Sequence, residues 1–319
     1  MNASLHAAAR GLAHTLNRSL SALDRLFLVR KHAPVVPPLF ILGVPRSGTT
    51  LTYQIVTQWL QVGYFIDAMN LFSGCPNLIL RLASPFLRQP RPVFSSRFGK
   101  TDYRFAPAES GTFWYRWFPV DDESGHYTDP TAIQPDRYAT LIANVQSMSM
   151  IVQKPMVFKS VYLDMSVGVL AQIMPEARFL FIRRDLLYNC QSMLLARQQQ
   201  PDPTAWWSVR PPHYRQWLSQ PLWKQAVNQV FATQAILERD LRAYAAGRYF
   251  EITYEQVCAN PRQFATDLAD WLAPIGYKTY PETQLPAAFP LSTTIRLDKE
   301  LIRRMEAYLE ALQRGERHP

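Results

Sequence analysis

Cysteine is scarce in this chain of 319 residues: Cys75, Cys190 and Cys258 form an odd set with no paired spacing. That excludes a disulfide framework and a cysteine-rich zinc site. Long apolar runs are missing as well. No stretch is long enough to span a bilayer, and the N-terminus lacks the compact apolar core and cleavage pattern of a secretory signal. The chain is therefore expected to be cytoplasmic. No internal repeat is apparent, and aromatic residues, although plentiful, lack the pattern of an RNA-binding sheet, so no nucleic-acid partner is expected. Acidic residues are outnumbered, 25 against 34 lysines and arginines, for a formal charge of +9. That balance suits an anionic ligand and is also compatible with acidic lipid. With 48% hydrophobic residues the chain can bury a substantial core, and one α/β domain accounts for its length.

What is present begins with Leu39-Phe40-Ile41-Leu42-Gly43-Val44-Pro45-Arg46-Ser47-Gly48-Thr49-Thr50-Leu51, an apolar strand, a tight turn and the start of a helix. Gly43 and Gly48 frame the four-residue gap of the phosphate loop G-x-x-x-x-G-K-[ST]. The lysine position is Thr49, while Thr50 keeps the hydroxyl position. Backbone amides and the positive end of a helix hold an anion without that lysine. The cation that reaches the outer phosphates of ATP is lost, and Arg46 offers a different one from within the loop.

A second motif, Arg178-Phe179-Leu180-Phe181-Ile182-Arg183-Arg184-Asp185, is an apolar run ending in two arginines, with Ser192 eight positions after Arg184. A guanidinium forms bidentate hydrogen bonds to phosphate and a hydroxyl adds a neutral donor. Lys154-Pro155-Met156-Val157-Phe158-Lys159 precedes the helical stretch Leu170-Ala171-Gln172-Ile173-Met174-Pro175-Glu176-Ala177. Further on, Phe250-Glu251-Ile252-Thr253-Tyr254-Glu255 is followed by Asn260-Pro261.

In order and spacing these four segments resemble the sulfotransferases that use 3′-phosphoadenosine 5′-phosphosulfate (PAPS), over most of the chain from Pro38 to Leu272. The bacterial members and the tyrosylprotein sulfotransferases are the nearest in pattern. The resemblance implies an α/β fold, a P-loop-type parallel sheet flanked by helices, with helical and loop insertions on the acceptor side. It implies that Arg46, Ser47, Gly48, Thr49, Thr50 and Leu51 hold the 5′-phosphosulfate, that Arg184 and Ser192 hold the 3′-phosphate, and that Tyr254 contributes to the cofactor site. PAPS is then the sulfuryl donor, 3′-phosphoadenosine 5′-phosphate (PAP) the product, and no metal is required. Arg46 and Lys159 are the cations expected to meet charge on the departing oxygen.

The general base is less evident. Cytosolic sulfotransferases carry a histidine two residues after the lysine-bearing strand end, and here that position is Val161. Glu109 lies in Ala106-Pro107-Ala108-Glu109-Ser110-Gly111-Thr112-Phe113-Trp114-Tyr115-Arg116-Trp117, a run similar to the P-x-E-x-G-x-F-W segment of some bacterial sulfotransferases. Asp67 stands where tyrosylprotein sulfotransferases carry their glutamate, counted from Arg46 without gaps. Glu109 is favoured narrowly, and a helix cap or an ion pair with a neighbouring arginine is the structural alternative for either residue. His126 is a third and weaker candidate.

Strands are expected at Leu39 to Leu42, Met156 to Phe158, Phe179 to Ile182 and Tyr249 to Thr253, in a parallel sheet whose carboxyl ends carry Arg46, Lys159 and Arg184. The expected organisation is one domain. It comprises an amphipathic extension over residues 1–36, a cofactor-binding core over 37–275 with an acceptor-side insertion over 61–150, and a tail with a helix over 276–319. In the extension, Leu5, Ala8, Ala9, Leu12, Leu16, Leu20, Leu23 and Phe27 recur at helical spacing with Arg10, Arg18 and Arg25 among them. Such a helix packs on its own domain, on a second subunit of a homodimer, or on a membrane surface. The insertion reads as helix and loop with turn-rich clusters such as Arg88-Gln89-Pro90-Arg91-Pro92. The proline-rich stretch from Pro201 to Pro212 reads either as a lid or as a packed loop with buried tryptophans. The acceptor remains open among small molecule, carbohydrate, lipid, phenol and peptide. A P-loop kinase or NTPase, and a catalytically silent nucleotide-binding protein, are the rival classes.

Overall fold

The computed structural model describes residues 17, 20–22, 24–28, 36–87, 94, 105–291 and 293–316. In chain order the elements are β1 Leu39–Leu42, α1 Thr49–Trp59, β2 Gly63–Tyr64, α2 Ala68–Leu71, α3 Pro76–Ala83, α4 Gly111–Trp114, α5 Pro135–Val152, β3 Met156–Lys159, α6 Val167–Ile173, β4 Arg178–Arg183, α7 Leu186–Gln198, α8 Leu222–Tyr244, β5 Tyr249–Thr253, α9 Tyr254–Ala259, α10 Pro261–Leu272 and α11 Lys299–Gln313.

The five strands form one parallel sheet in the order β2-β3-β1-β4-β5. The central strand β1 is buried along its whole length, as is β3, because helices cover both faces of the sheet. This is why Leu39 to Leu42 and Met156 to Phe158 read as unbroken apolar runs rather than as alternating ones. Strands were expected at four places and all four form. The fifth, β2, is only Gly63–Tyr64 and falls in the insertion expected to be helix and loop. Two residues carry no period, so nothing in the sequence marks them.

Crossovers leave β1 on both sides: the chain runs out to β2, returns through β3 and then passes over β1 to β4. The carboxyl end of β1 is thus the crevice where a parallel sheet receives ligands. Across one face, Phe40 stands in register with Phe158 and Phe179, their rings stacked at 5.4 and 5.7 Å between centroids. Trp114 of α4 meets Phe158 edge-on at 5.2 Å, and Phe113 packs on Phe65 at 5.2 Å. Trp114 is 1% exposed. Truncating such a side chain costs about 3–5 kcal/mol, so α4 is firmly anchored and with it the turn that carries Glu109.

The proline-rich stretch is a packed wall rather than a free flap. Fully buried Arg197 donates to the carbonyls of Pro203 and Thr204, and Gln229 donates to those of Trp207 and Val209. Both tryptophans are half-buried. Among the described N-terminal residues, 20–22 and 24 are helical and Asp24 is buried, accepting from Asn77 and from the Leu78 amide. Leu20 and Phe27 belong to this part. Leu5, Ala8, Ala9, Leu12, Leu16 and Leu23, like the cluster from Arg88 to Pro92, lie outside the described residues. Among the described residues no helix is long and apolar enough to cross a membrane.

Candidate active site

Between β1 and α1 the chain makes its turn with three residues at positive φ, Gly43 at +156° and two more. Arg46 sits at +75° and Gly48 at +94°, the latter in the left-handed conformation that caps α1. Glycine is needed at 48 for a second reason: a Cβ there would lie 2.1 Å from the Tyr254 ring. The first bond inside α1 runs from the Thr52 amide to the Gly48 carbonyl at 3.1 Å. The amides of Thr49, Thr50 and Leu51 therefore face the helix end without an intrahelical acceptor, a ready anion cradle. The loop's other glycine faces inward. The Gly43 amide donates to Asp164 Oδ1 at 3.1 Å, and Asp164 is fully buried. Burial pushes the Asp164 carboxyl well above the usual carboxylate range, against the pull of the Gly43 amide and Lys159.

A cleft of about 440 Å³ opens above this turn, in the size range of small-molecule sites. Arg46, Gly48, Thr49, Thr50, Leu51, Arg184, Ser192 and Tyr254 line it, and Glu109, Asp67 and Lys159 share the same cavity. Ser47 does not reach it and is buried beneath the loop. Three segments far apart in sequence thus meet at one place.

At one end of the cleft, Arg46 Nε donates to Ser192 Oγ at 3.3 Å and Arg184 Nη1 donates to the Arg46 carbonyl at 2.8 Å. The Arg184 guanidinium also lies over the Tyr254 ring, 4.8 Å from its centroid. Arg296 lines the same end. Burial lowers the pKa of Arg46, and the neighbouring charges of Arg184 and Arg296 lower it further. Three guanidiniums that disfavour one another are a donor set suited to a multiply charged anion such as a phosphate. The residues present fit an adenylate carrying phosphate at both ends of its ribose.

At the other end, Lys159 closes β3 and is 4% exposed. Its Nζ donates to Thr50 Oγ1 at 3.1 Å and forms an ion pair with Glu109 Oε1. The ion pair considered as an alternative for Glu109 is therefore formed, with lysine in place of arginine. Asp67 occupies the N-cap position of α2 but makes no side-chain cap and is exposed to the cleft. His126 stands behind the wall: its Nδ1 accepts from the Arg210 amide at 2.7 Å and its Nε2 lies 3.2 Å from Tyr115 Oη. Burial, with the nearby Arg210 charge, pushes its pKa down to about 4.

Sequence reasoning missed Arg296, Tyr162 and Asn70, which line the cleft, while Trp207 and Ser208, which also line it, belong to the stretch read as a lid or a packed loop. Arg296 arrives because Gln191 clamps its segment, accepting from the Arg296 amide at 2.7 Å and donating to the Thr294 carbonyl at 3.0 Å. The only local sign is an arginine set between Ile295 and Leu297.

The solved structures include two mycobacterial neighbours. Sulfotransferase STF9 from Mycobacterium avium aligns with a TM-score of 0.54 at 16% identity, over 92% of this chain and 72% of that one. Sulfotransferase STF1 from Mycobacterium tuberculosis H37Rv aligns with a TM-score of 0.53 at 12% identity, over 93% and 77%. At such identities these similarities establish the fold alone. No curated protein sequence matches the chain. The family model of the sulfotransferase family matches residues 37–274, from just before β1 to the end of α10, and the chain belongs to the sulfotransferase family.

Proposed function

We propose that this protein transfers the sulfuryl group of PAPS to a hydroxyl or amine of an acceptor, with a carboxylate as general base. The observation that carries the reading is the meeting of Arg46, Arg184, Ser192 and Lys159 in one cleft at the N-terminus of α1. In this reading the amides of Thr49, Thr50 and Leu51 bind the 5′-phosphosulfate, and Arg184 and Ser192 bind the 3′-phosphate with Tyr254 bracing the arginine.

The reaction is an in-line displacement at sulfur. The acceptor oxygen or nitrogen forms a bond to sulfur as the bond to the 5′-phosphate oxygen breaks, the acceptor proton passes to a carboxylate, and PAP leaves. Charge grows on the departing oxygen, and Arg46 and Lys159 are placed to meet it. Glu109 is the preferred base. Its contact with Lys159 puts proton acceptor and cation side by side, as a displacement through one small region requires. Asp67, exposed to the same cleft, is the second candidate.

Against a P-loop kinase stands the absence of a lysine at Thr49, together with the cations that close β3 and β4 where an acidic metal ligand would be wanted. The test is transfer of labelled sulfate from PAPS to a panel of phenols, sugars, lipids and peptides. Turnover that falls by about 10²-fold or more in Glu109→Gln, with PAP affinity kept, supports the assignment. Full turnover in both Glu109→Gln and Asp67→Asn refutes a carboxylate base. PAP binding with no transfer to any acceptor favours a silent binding protein.

A further inference from the structure

The charges that line the cleft do not balance once the proposed donor is counted. Among the described residues six charged side chains line it: Arg46, Arg184, Arg296, Lys159, Glu109 and Asp67. The three guanidiniums belong to the anion end, where the phosphates of PAP would offset them. Lys159 and Glu109 answer each other in their ion pair. Asp67 is left over. Among the described residues its carboxylate has neither a hydrogen-bond nor an ion-pair partner, and the residue is exposed to the cavity.

The backbone holds this carboxylate next to the segment that carries Glu109. The Ala108 amide donates to the Phe65 carbonyl at 2.7 Å, and Thr112 Oγ1 donates to the Asn70 carbonyl at 3.0 Å. These two bonds bracket Asp67 on one segment and Glu109 on the other. Asp67 already has helical backbone angles, φ −57° and ψ −32°, so it shares a face of α2 with Asn70, three positions on. Both line the cavity, whereas Met69, turned away from them, is fully buried in the core. The cleft side of α2 thus offers a full negative charge and, from Asn70, a carboxamide oxygen that accepts a second hydrogen bond.

We infer that Asp67, with Asn70 beside it, binds a cationic amino group on the acceptor, so that the substrate class is an amino-bearing alcohol or phenol. This rests on the sulfuryl-transfer reading, with Glu109 as the base. An ammonium brings three donors and the missing positive charge. An anionic acceptor would meet Asp67 as well as the phosphates of the donor, and that repulsion rejects it. The same charges couple the two ligands. Before the donor binds, the three guanidiniums repel an ammonium, and phosphates set among them remove the repulsion. Donor and cationic acceptor therefore bind with positive coupling, each raising the affinity of the other by the same factor.

The experiment is calorimetric binding at neutral pH, with and without saturating PAP, which needs no turnover. Two matched probe pairs are used, tyramine against 4-ethylphenol and trans-4-aminocyclohexanol against trans-4-methylcyclohexanol. In at least one pair the amine is expected to bind the PAP-loaded protein about tenfold more tightly, with a narrower margin when PAP is left out. Asp67→Asn removes the preference while leaving PAP affinity within threefold, and Asp67→Glu, which keeps the charge, retains it. If PAP itself does not bind, the transfer reading fails and this inference with it. If PAP binds but neither amine is preferred, if the margin does not depend on PAP, or if the preference survives Asp67→Asn, this inference alone is overturned.

Discussion

Gly48→Ala tests the loop and its tyrosine together. At φ +94° and ψ 9° the residue is left-handed, and a side chain there costs about 1–2 kcal/mol. The new methyl would also lie 2.1 Å from Tyr254 Cδ2, so the ring must leave its place over Arg184. Losing that cation–π contact costs a further ~0.5–2 kcal/mol in a partly desolvated site. A total loss of about 2–4 kcal/mol is expected, equivalent to a drop in Tm of about 3–6 °C for a domain of this size. Urea unfolding followed by circular dichroism gives the free energy directly. Calorimetry should show PAP affinity down at least tenfold, because Arg184 loses its brace. Placing the same substitution in a Tyr254→Ala background isolates the clash. There the cost should fall to the ~1–2 kcal/mol of backbone strain alone. If the two substitutions add without coupling, Tyr254 does not rest on Gly48 and the account of this turn is wrong.

Three more expectations concern charge. Arg184→Ala should lower the preference for PAP over AMP by about 10–100-fold in calorimetry, in keeping with loss of one charge-assisted pair, while AMP affinity changes little. An unchanged preference would place the 3′-phosphate elsewhere. His126 is held neutral, its pKa depressed from 6.5 to about 4 by burial and by Arg210. Its contribution is therefore complete above pH 6.5 and lost as pH falls toward 4. The chain should lose about 3 kcal/mol over that window, and His126→Gln should flatten the loss in pH-dependent unfolding. Asp164→Asn should preserve or raise stability at neutral pH, because burial already favours an uncharged group and the amide oxygen still accepts from Gly43. Asp164→Leu, which leaves the Gly43 amide unmet, should cost about 1–3 kcal/mol by urea unfolding.

How far the sequence foretells this site depends on whether a feature is local. The strand Leu39–Leu42 and the centre of Arg178–Arg183 are legible from their own residues, since a buried strand must be apolar and a turn must follow it. The loop from Gly43 to Thr50 is legible because glycine spacing and backbone geometry are the same fact. Glu109 is visible as a motif, yet its partner is not. The contact with Lys159 exists because Trp114 is buried against Phe158, fifty residues from where the glutamate is read. Arg296 is hidden for a similar reason: it is delivered by a two-ended clamp from Gln191, and neither residue belongs to a pattern.

The placement of cations accounts for why this loop differs from its ATP-binding counterpart. A Walker lysine rises from the first turn of the helix and would stand at Thr49, which here is buried. Lys159 instead enters from the end of β3 and is tied to Thr50 Oγ1, so the positive charge arrives from the sheet side of the cleft. Arg46 enters from the loop and donates to Ser192. The two charges therefore bracket the helix end rather than extend beyond it. In the proposed reading an anion seated on the helix amides would be met by these two cations, with none reserved for a chain of outer phosphates. That arrangement suits cleavage next to a single phosphate. In the proposed reading Arg184 and Arg296 face the far end of the ligand, where a second phosphate would offset the neighbouring charges that add to burial in lowering the pKa of Arg46.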